Sequence, residues 1–130
     1  MGENDDVHQH IQMLLELKRS VDQDHTIDGW KSNIEETLPI LYTPTIGSVC
    51  QKFHTLDYPM SGSIVRFNNM TDLEYAINSK PNLKLIVVTD GSRILGLGDL
   101  GIGGYAISEG KCMLYRMFGD FSEDEILPVR

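Results

Sequence analysis

The chain has little of what several function classes need. It holds two cysteines and one tryptophan in 130 residues. Cys50 and Cys112 lie far apart, without the paired spacing of a zinc site or a disulfide framework. Both read as small buried hydrophobes in a reduced, intracellular setting. Lys and Arg never cluster, and the formal net charge is −8. That argues against a nucleic-acid partner, which needs a basic face to neutralise phosphates. No apolar run approaches the roughly 20 residues of a membrane span, so no membrane partner is expected. The opening MGENDDVHQH is neither a signal peptide nor an Arg-rich transit peptide. A cytoplasmic location is the expectation, with an organelle matrix as the alternative. Repeats are absent, which excludes a solenoid. His8, His10, His25 and His54 form no ligand set, since His8 and His10 at i and i+2 do not share a helix face.

What is present suits one ordinary domain. The length is near the commonest domain size, and 41% hydrophobic with 23% charged residues is typical of a globular chain. Residues 1–6 read as a disordered tail. From Val7 a helical stripe runs through Ile11, Leu14, Leu15 and Val21, with Glu16, Lys18 and Arg19 on the wet side. A second stripe, Ile27, Trp30, Ile34 and Leu38, carries a helix up to Pro39, where the missing N–H is expected to stop it. Thr43 and Pro44 read as the cap and first residue of a third helix. Its buried face is Ile46, Val49, Cys50 and Phe53, which leaves Tyr42 just outside a helix N-terminus.

Beyond that the pattern alternates. SIVRF, 63–67, is a short strand. TDLE, 71–74, reads as a capping box with Thr71 as the cap. LKLIVV, 83–88, reads as a strand covered on both faces. Asp90-Gly91 is a two-residue turn signal, so a β-hairpin is expected near 83–98. A helix follows at about 104–118, a second capping box at Ser122 and Glu125, and LPV as the start of another strand. The fold class expected is α/β: N-terminal helices, then a small, mostly parallel sheet with flanking helices.

The segment GLGDLG matches the G-x-G-x-x-G spacing of a dinucleotide loop at Gly96, Gly98 and Gly101, with Asp120 at a plausible distance. Two features count against a cofactor there. The preceding strand looks like the return arm of a hairpin, and Asp99 would repel a pyrophosphate. The alternative is a glycine turn that lets strand and helix approach closely.

Two longer segments are more specific. LYTPTIGSVCQKF, 41–53, and VVTDGSRILGLGDLGIGG with EGKCMLY, 87–115, resemble the signature blocks of the malic enzyme family, of the larger, eukaryote-like type. SNIEETLPILY, 32–42, fits the same region, and the likeness covers about residues 10–129. The resemblance implies that residues 7–130 are the N-terminal, substrate-side domain, truncated, with the nucleotide-binding domain absent. It implies oxidative decarboxylation of L-malate to pyruvate and CO2 with NAD or NADP and Mn2+ or Mg2+. Tyr42 matches the family's catalytic acid, Lys111 its catalytic base and Arg93 its carboxylate-binding arginine. In the family the GLGDLG block belongs to the substrate region. The metal ligands lie beyond this chain, so neither metal nor nucleotide is expected to bind to it alone, and the isolated chain is expected to be inactive.

The chemistry of these residue types fits the implied roles. A phenol is protonated at neutral pH and can donate. A lysine acts as a base only from its uncharged amine, which burial or nearby positive charge favours. An arginine fork binds both oxygens of a carboxylate. There are departures: Ser92 stands in place of the family's Glu, residues 102–106 differ, and Ser108-Glu109 replace Pro-Val. Glu109 brings a negative charge within two residues of Lys111, which would blunt its basicity if the carboxylate faced it. Two other functions remain open at this stage. One is an inactive short homologue that self-associates or binds full-length malic enzyme subunits, since the family forms dimers and tetramers. The other is a mononucleotide-binding module at residues 96–101.

Overall fold

A computed structural model describes residues 2–21, 33–58, 60, 62–66 and 69–130. Helix α1 (Gly2–Val21) starts within the stretch read as a tail and buries Ile11, Leu14 and Leu15. Lys18, expected on the wet face, is buried as well. It stands four residues after Leu14 and seven after Ile11, so the 3.6-residue period places it on the apolar stripe. Helix α2 (Ile34–Leu41) carries Pro39 inside it and ends two residues later than expected. The exposed proline removes one donor only, and the last turn closes with the Tyr42 N–H donating to Leu38 O at 3.0 Å. Ile27 and Trp30 lie outside the described residues.

The Thr43–Pro44 peptide is cis, and helix α3 (Thr45–Lys52) follows directly. Pro44, not Thr43, is at the N-cap position, and no side chain caps it. The Ile46 N–H instead donates to Tyr42 O at 2.7 Å. Ile46, Val49 and Cys50 are buried as their spacing requires, and they meet Ile11, Leu14 and Leu41 in one apolar cluster.

Helix α4 (Met70–Asn78) begins before Thr71, and its cap is Asn69, whose side-chain oxygen accepts from the Asp72 N–H at 3.3 Å. Asn caps as well as Thr does, so the propensity alone did not decide between them. Asp72 in the first turn takes both Arg66 guanidinium donors at 2.8 Å. The expected strand at 63–67 reduces to one parallel bridge, Ser63 to Val129, and Phe67 lies outside the described residues.

The sheet is parallel: β1 (Leu85–Val88) pairs with β2 (Ile126–Val129), Leu85 opposite Ile126 and Val88 opposite Val129. Helices dominate around it, and the α/β class holds. The hairpin near 83–98 does not form. After β1 the local side chains take the amides that a returning strand would have paired: Thr89 Oγ1 accepts from the Gly91 N–H at 3.1 Å, and Asp90 Oδ1 from the Ser92 N–H at 2.9 Å. Residues 93–98 form no strand and turn at 95–97, with Ile94 buried and Leu95 left-handed at φ 52°. Nor is β1 covered on both faces, since Val88 is 66% exposed. The fully buried strand is β2. Its far side is lined by residues 63–65: the Ser63 N–H donates to Pro128 O at 3.0 Å and the Val65 N–H to Arg130 O at 2.8 Å.

Between the strands run a 3₁₀ turn (Gly101–Gly104) and helix α5 (Tyr105–Phe118). Glycines seat this unit against α3. A Cβ on Gly103 would lie 2.2 Å from Cys50 O, and one on Gly110 would lie 3.0 Å from Ile46 Cγ1. The Ser122–Glu125 capping box forms around a short 3₁₀ turn (Glu123–Glu125), and β2 starts where LPV promised a strand.

Two predictions follow from these elements. Arg66 holds the Asp72 carboxyl at about 2 and Lys84 holds Glu125 at about 2, against ordinary values of 3.8 and 4.5. Carboxyls depressed in the folded state add stability that is fully present above their ordinary range and is lost as pH falls toward 2. Urea midpoints of the wild type are therefore expected to fall between pH 4.5 and 2. A double Asp72→Asn, Glu125→Gln variant should fall less steeply there, and an unchanged slope would refute the assignment. The free thiols give the second prediction. Burial pushes Cys50 up to about 11 and Cys112, helped by the Glu109 charge, up to about 12. The thiolate is the reactive form, so Cys50 should react with a disulfide reagent about 100-fold more slowly in the native chain than in urea, and Cys112 more slowly still.

Candidate functional site

Tyr42 closes α2, and the cis Thr43–Pro44 step turns the chain straight into α3. Its ring is half-buried at that corner. Helix α5 crosses the corner, and Gly110 makes the close crossing feasible: a Cβ there would also lie 3.4 Å from Tyr42 Cδ2. The next residue, Lys111, is half-buried and sets its Nζ over the Tyr42 ring, 4.8 Å from the centroid. A cation facing a ring at this range is attracted by the quadrupole, by about 0.5–2 kcal/mol depending on exposure. The fold thus joins two of the three polar residues singled out in the sequence.

The third, Arg93, is exposed on the turn segment after β1. That segment leans on α3: a Cβ on Gly47 would lie 3.3 Å from Leu97 Cδ1. Among the described residues no hydrogen bond or ring contact links Arg93 to Tyr42 or Lys111.

Glu109 does point inward, but not toward Lys111. Its Oε1 accepts from the Tyr105 hydroxyl at 2.8 Å and sits 3.2 Å from Lys18 Nζ. The side chains of Lys18 and Glu109 are 4% and 1% exposed. The Tyr105 hydroxyl in turn accepts from the Gly62 N–H at 2.6 Å. Phe53, Tyr58 and Tyr105 pack around the pair, and Lys18 lies 5.5 Å from the Tyr58 ring centroid. Burial, then the Glu109 charge, pushes the Tyr58 hydroxyl well above its ordinary value, so it stays protonated. The sequence reading missed this cluster. The available signal was a lysine and a glutamate each on an otherwise apolar helical stripe.

At the glycine motif, Gly98 and Gly101 take φ of 81° and 56°, and a Cβ at Gly96, Gly98 or Gly101 would meet nothing within 4 Å. Gly98 and Gly101 thus serve left-handed backbone, and the close approaches around this segment are those of Gly91, Gly103 and Gly104. The Gly101 N–H donates to Asp99 Oδ1 at 2.9 Å, and the Ile94 N–H to Gly98 O at 2.8 Å. Among the described residues no three His, Cys, Asp or Glu side chains cluster to hold a metal ion, and no helix is long and apolar enough to cross a membrane.

Comparison with known proteins agrees with the two signature blocks. Residues 22–130 match the family model "Malic enzyme, N-terminal domain". NAD-dependent malic enzyme 2 of Vibrio vulnificus is 48% identical over 99 residues, covering 75% of this chain and 18% of that protein. The NAD-dependent malic enzyme of Sodalis glossinidius is 45% identical over 100 residues, covering 75% and 18%. That of Acinetobacter baylyi is 39% identical over 130 residues, covering 97% and 22%. The chain thus spans about a fifth of the length of the curated relatives it matches. It belongs to the malic enzyme family, through that family's N-terminal domain.

Proposed function

We propose that this chain supplies the substrate side of an NAD-dependent malic enzyme, which oxidises L-malate and decarboxylates the product to pyruvate and CO2. The observation that carries the reading is the Lys111 ammonium seated over the Tyr42 ring, 4.8 Å from its centroid. A base and an acid are needed at neighbouring carbons of one small substrate, and the fold brings a lysine and a tyrosine together at one corner, the tyrosine at the end of α2 and the lysine within α5.

The roles are those the family resemblance implies, and the chemistry of the side chains suits them. The uncharged Lys111 amine takes the proton of the C2 hydroxyl as the alcohol becomes a ketone. The ammonium so formed faces the negative face of the Tyr42 ring, which stabilises the proton where it lands. After CO2 leaves, the Tyr42 hydroxyl gives a proton to C3 of the enolpyruvate. Arg93, exposed on the segment after β1, clamps a malate carboxylate through two N–H groups. A bound nicotinamide would supply the hydride acceptor for C2. The described residues offer no ligand set for a divalent metal, and no step is assigned to one here. The relatives are about four times as long as this chain, and the metal and nucleotide sites are assigned to the part of them beyond the match.

The test is a chimera in which this chain replaces the matched segment of the Vibrio vulnificus relative. NADH formation from malate with Mn2+ is expected from the chimera and not from the chain alone. Lys111→Ala and Tyr42→Phe should each lower kcat about 100-fold or more. Arg93→Ala should act mainly on the KM for malate. A Lys111→Ala chimera as active as its parent overturns the assignment of the base.

A further inference from the structure

We propose that Lys18 and Glu109 are positioning residues. Their buried ion pair, tied to Tyr105, sets the rotation of α5 and so holds Lys111 over Tyr42. The functional meaning of this rests on the catalytic reading of Lys111, but the geometry does not.

Residues two apart on an α-helix point about 200° apart around its axis. Glu109 and Lys111 therefore leave α5 on nearly opposite sides, and whatever fixes one direction fixes the other. Glu109 is fixed from two sides. Lys18 of α1 meets its Oε1 at 3.2 Å, and the Tyr105 hydroxyl donates to the same atom at 2.8 Å. Tyr105 lies one turn earlier on the same face of α5 and is itself held by the Gly62 N–H. The anchor therefore spans a full turn of the helix and reaches two other segments.

An apolar contact could not do this as well. Hydrophobic packing is non-directional, and side chains of similar volume are exchanged across a core at little cost. A buried charge tolerates only the arrangement that pairs it, because any rotation that breaks the pair strands two charges away from water. The pair thus restricts α5 to one setting. Gly110, between the two residues, lets the helix lie so close to Ile46 and Tyr42 that a small rotation would carry the Lys111 amine off the ring.

The test uses the full 130-residue chain with ¹³Cε-labelled lysine. The Lys111 ε-methylene signal, identified by its loss in Lys111→Arg, should be displaced upfield by the Tyr42 ring current, and Tyr42→Leu supplies the undisplaced reference. Glu109→Gln and Lys18→Met are each expected to lose more than half of that displacement while the amide signals of β1 and β2 stay in place. Lys18→Arg, which keeps the charge, should retain it. Should the single variants unfold, the double Lys18→Met, Glu109→Leu variant replaces the pair by apolar groups, an exchange that folded proteins tolerate. It too should lose the displacement. A folded Glu109→Gln, Lys18→Met or double variant with the Lys111 signal still fully displaced overturns the proposal. This readout involves no turnover, so its outcome is separate from that of the chimera: an inert Lys111→Ala substitution would remove the base and leave the positioning intact.

Discussion

Close approach of backbone to backbone just before α5 is the constraint on which the rest depends. Gly103 lies against the Cys50 carbonyl and Gly104 against Gly91, and neither contact leaves space for a Cβ. Gly110, further along α5, lies tightly against the side chains of Ile46 and Tyr42. Together they seat the start of α5 directly on the end of α3 and on the turn after β1. The apolar cluster of Ile46, Val49, Tyr105 and Met113 then closes around that seam. The corner that joins Tyr42 to Lys111 is a by-product of the same seating.

The pair buried on the other side of α5 has a mixed energetic character. Two charges taken out of water cost several kcal/mol each before they attract one another, so such a pair is poor evidence for stability. Its effect is on uniqueness of arrangement. The surrounding rings of Phe53, Tyr58 and Tyr105 exclude water from it. Burial, together with the Glu109 charge, also keeps Cys112 and Tyr58 from ionising.

Much of this was legible before any coordinates. The 3.6-residue stripes of α1, α3 and α5 and the Ser122–Glu125 box stand where they were expected, because local periodicity and capping chemistry decide them. Pairing of strands was not legible. Asp90-Gly91 announces a turn, but Thr89 and Asp90 spend their side chains on the following amides, and β1 finds its partner near residue 126. A turn signal says that the chain bends; it does not say what lies beside the strand afterwards. Lys18 was misplaced for a related reason. Its charge outweighed its position on the stripe, and only Glu109, on a distant helix, makes that position tenable. The signature blocks named the family, yet the position of Arg93 relative to Tyr42 and Lys111 depends on loop packing that no local pattern encodes.

The strand order has a consequence during synthesis. β2, residues 126–129, is bonded on one side to β1 and on the other to residues 63–65, both made earlier. Neither of those segments can bond through β2 until residue 129 has left the ribosome. At roughly 5–20 residues per second, β1 waits for several seconds with its backbone unpaired on the side that β2 will fill. The helices α1, α2 and α3 precede β1 in the chain and pack on one another, so they can begin to assemble in that interval, before α5 arrives to complete their core. The nascent chain is thus expected to have a helical half in place while its sheet is still open, a period in which holding factors on the ribosome have an apolar edge to bind.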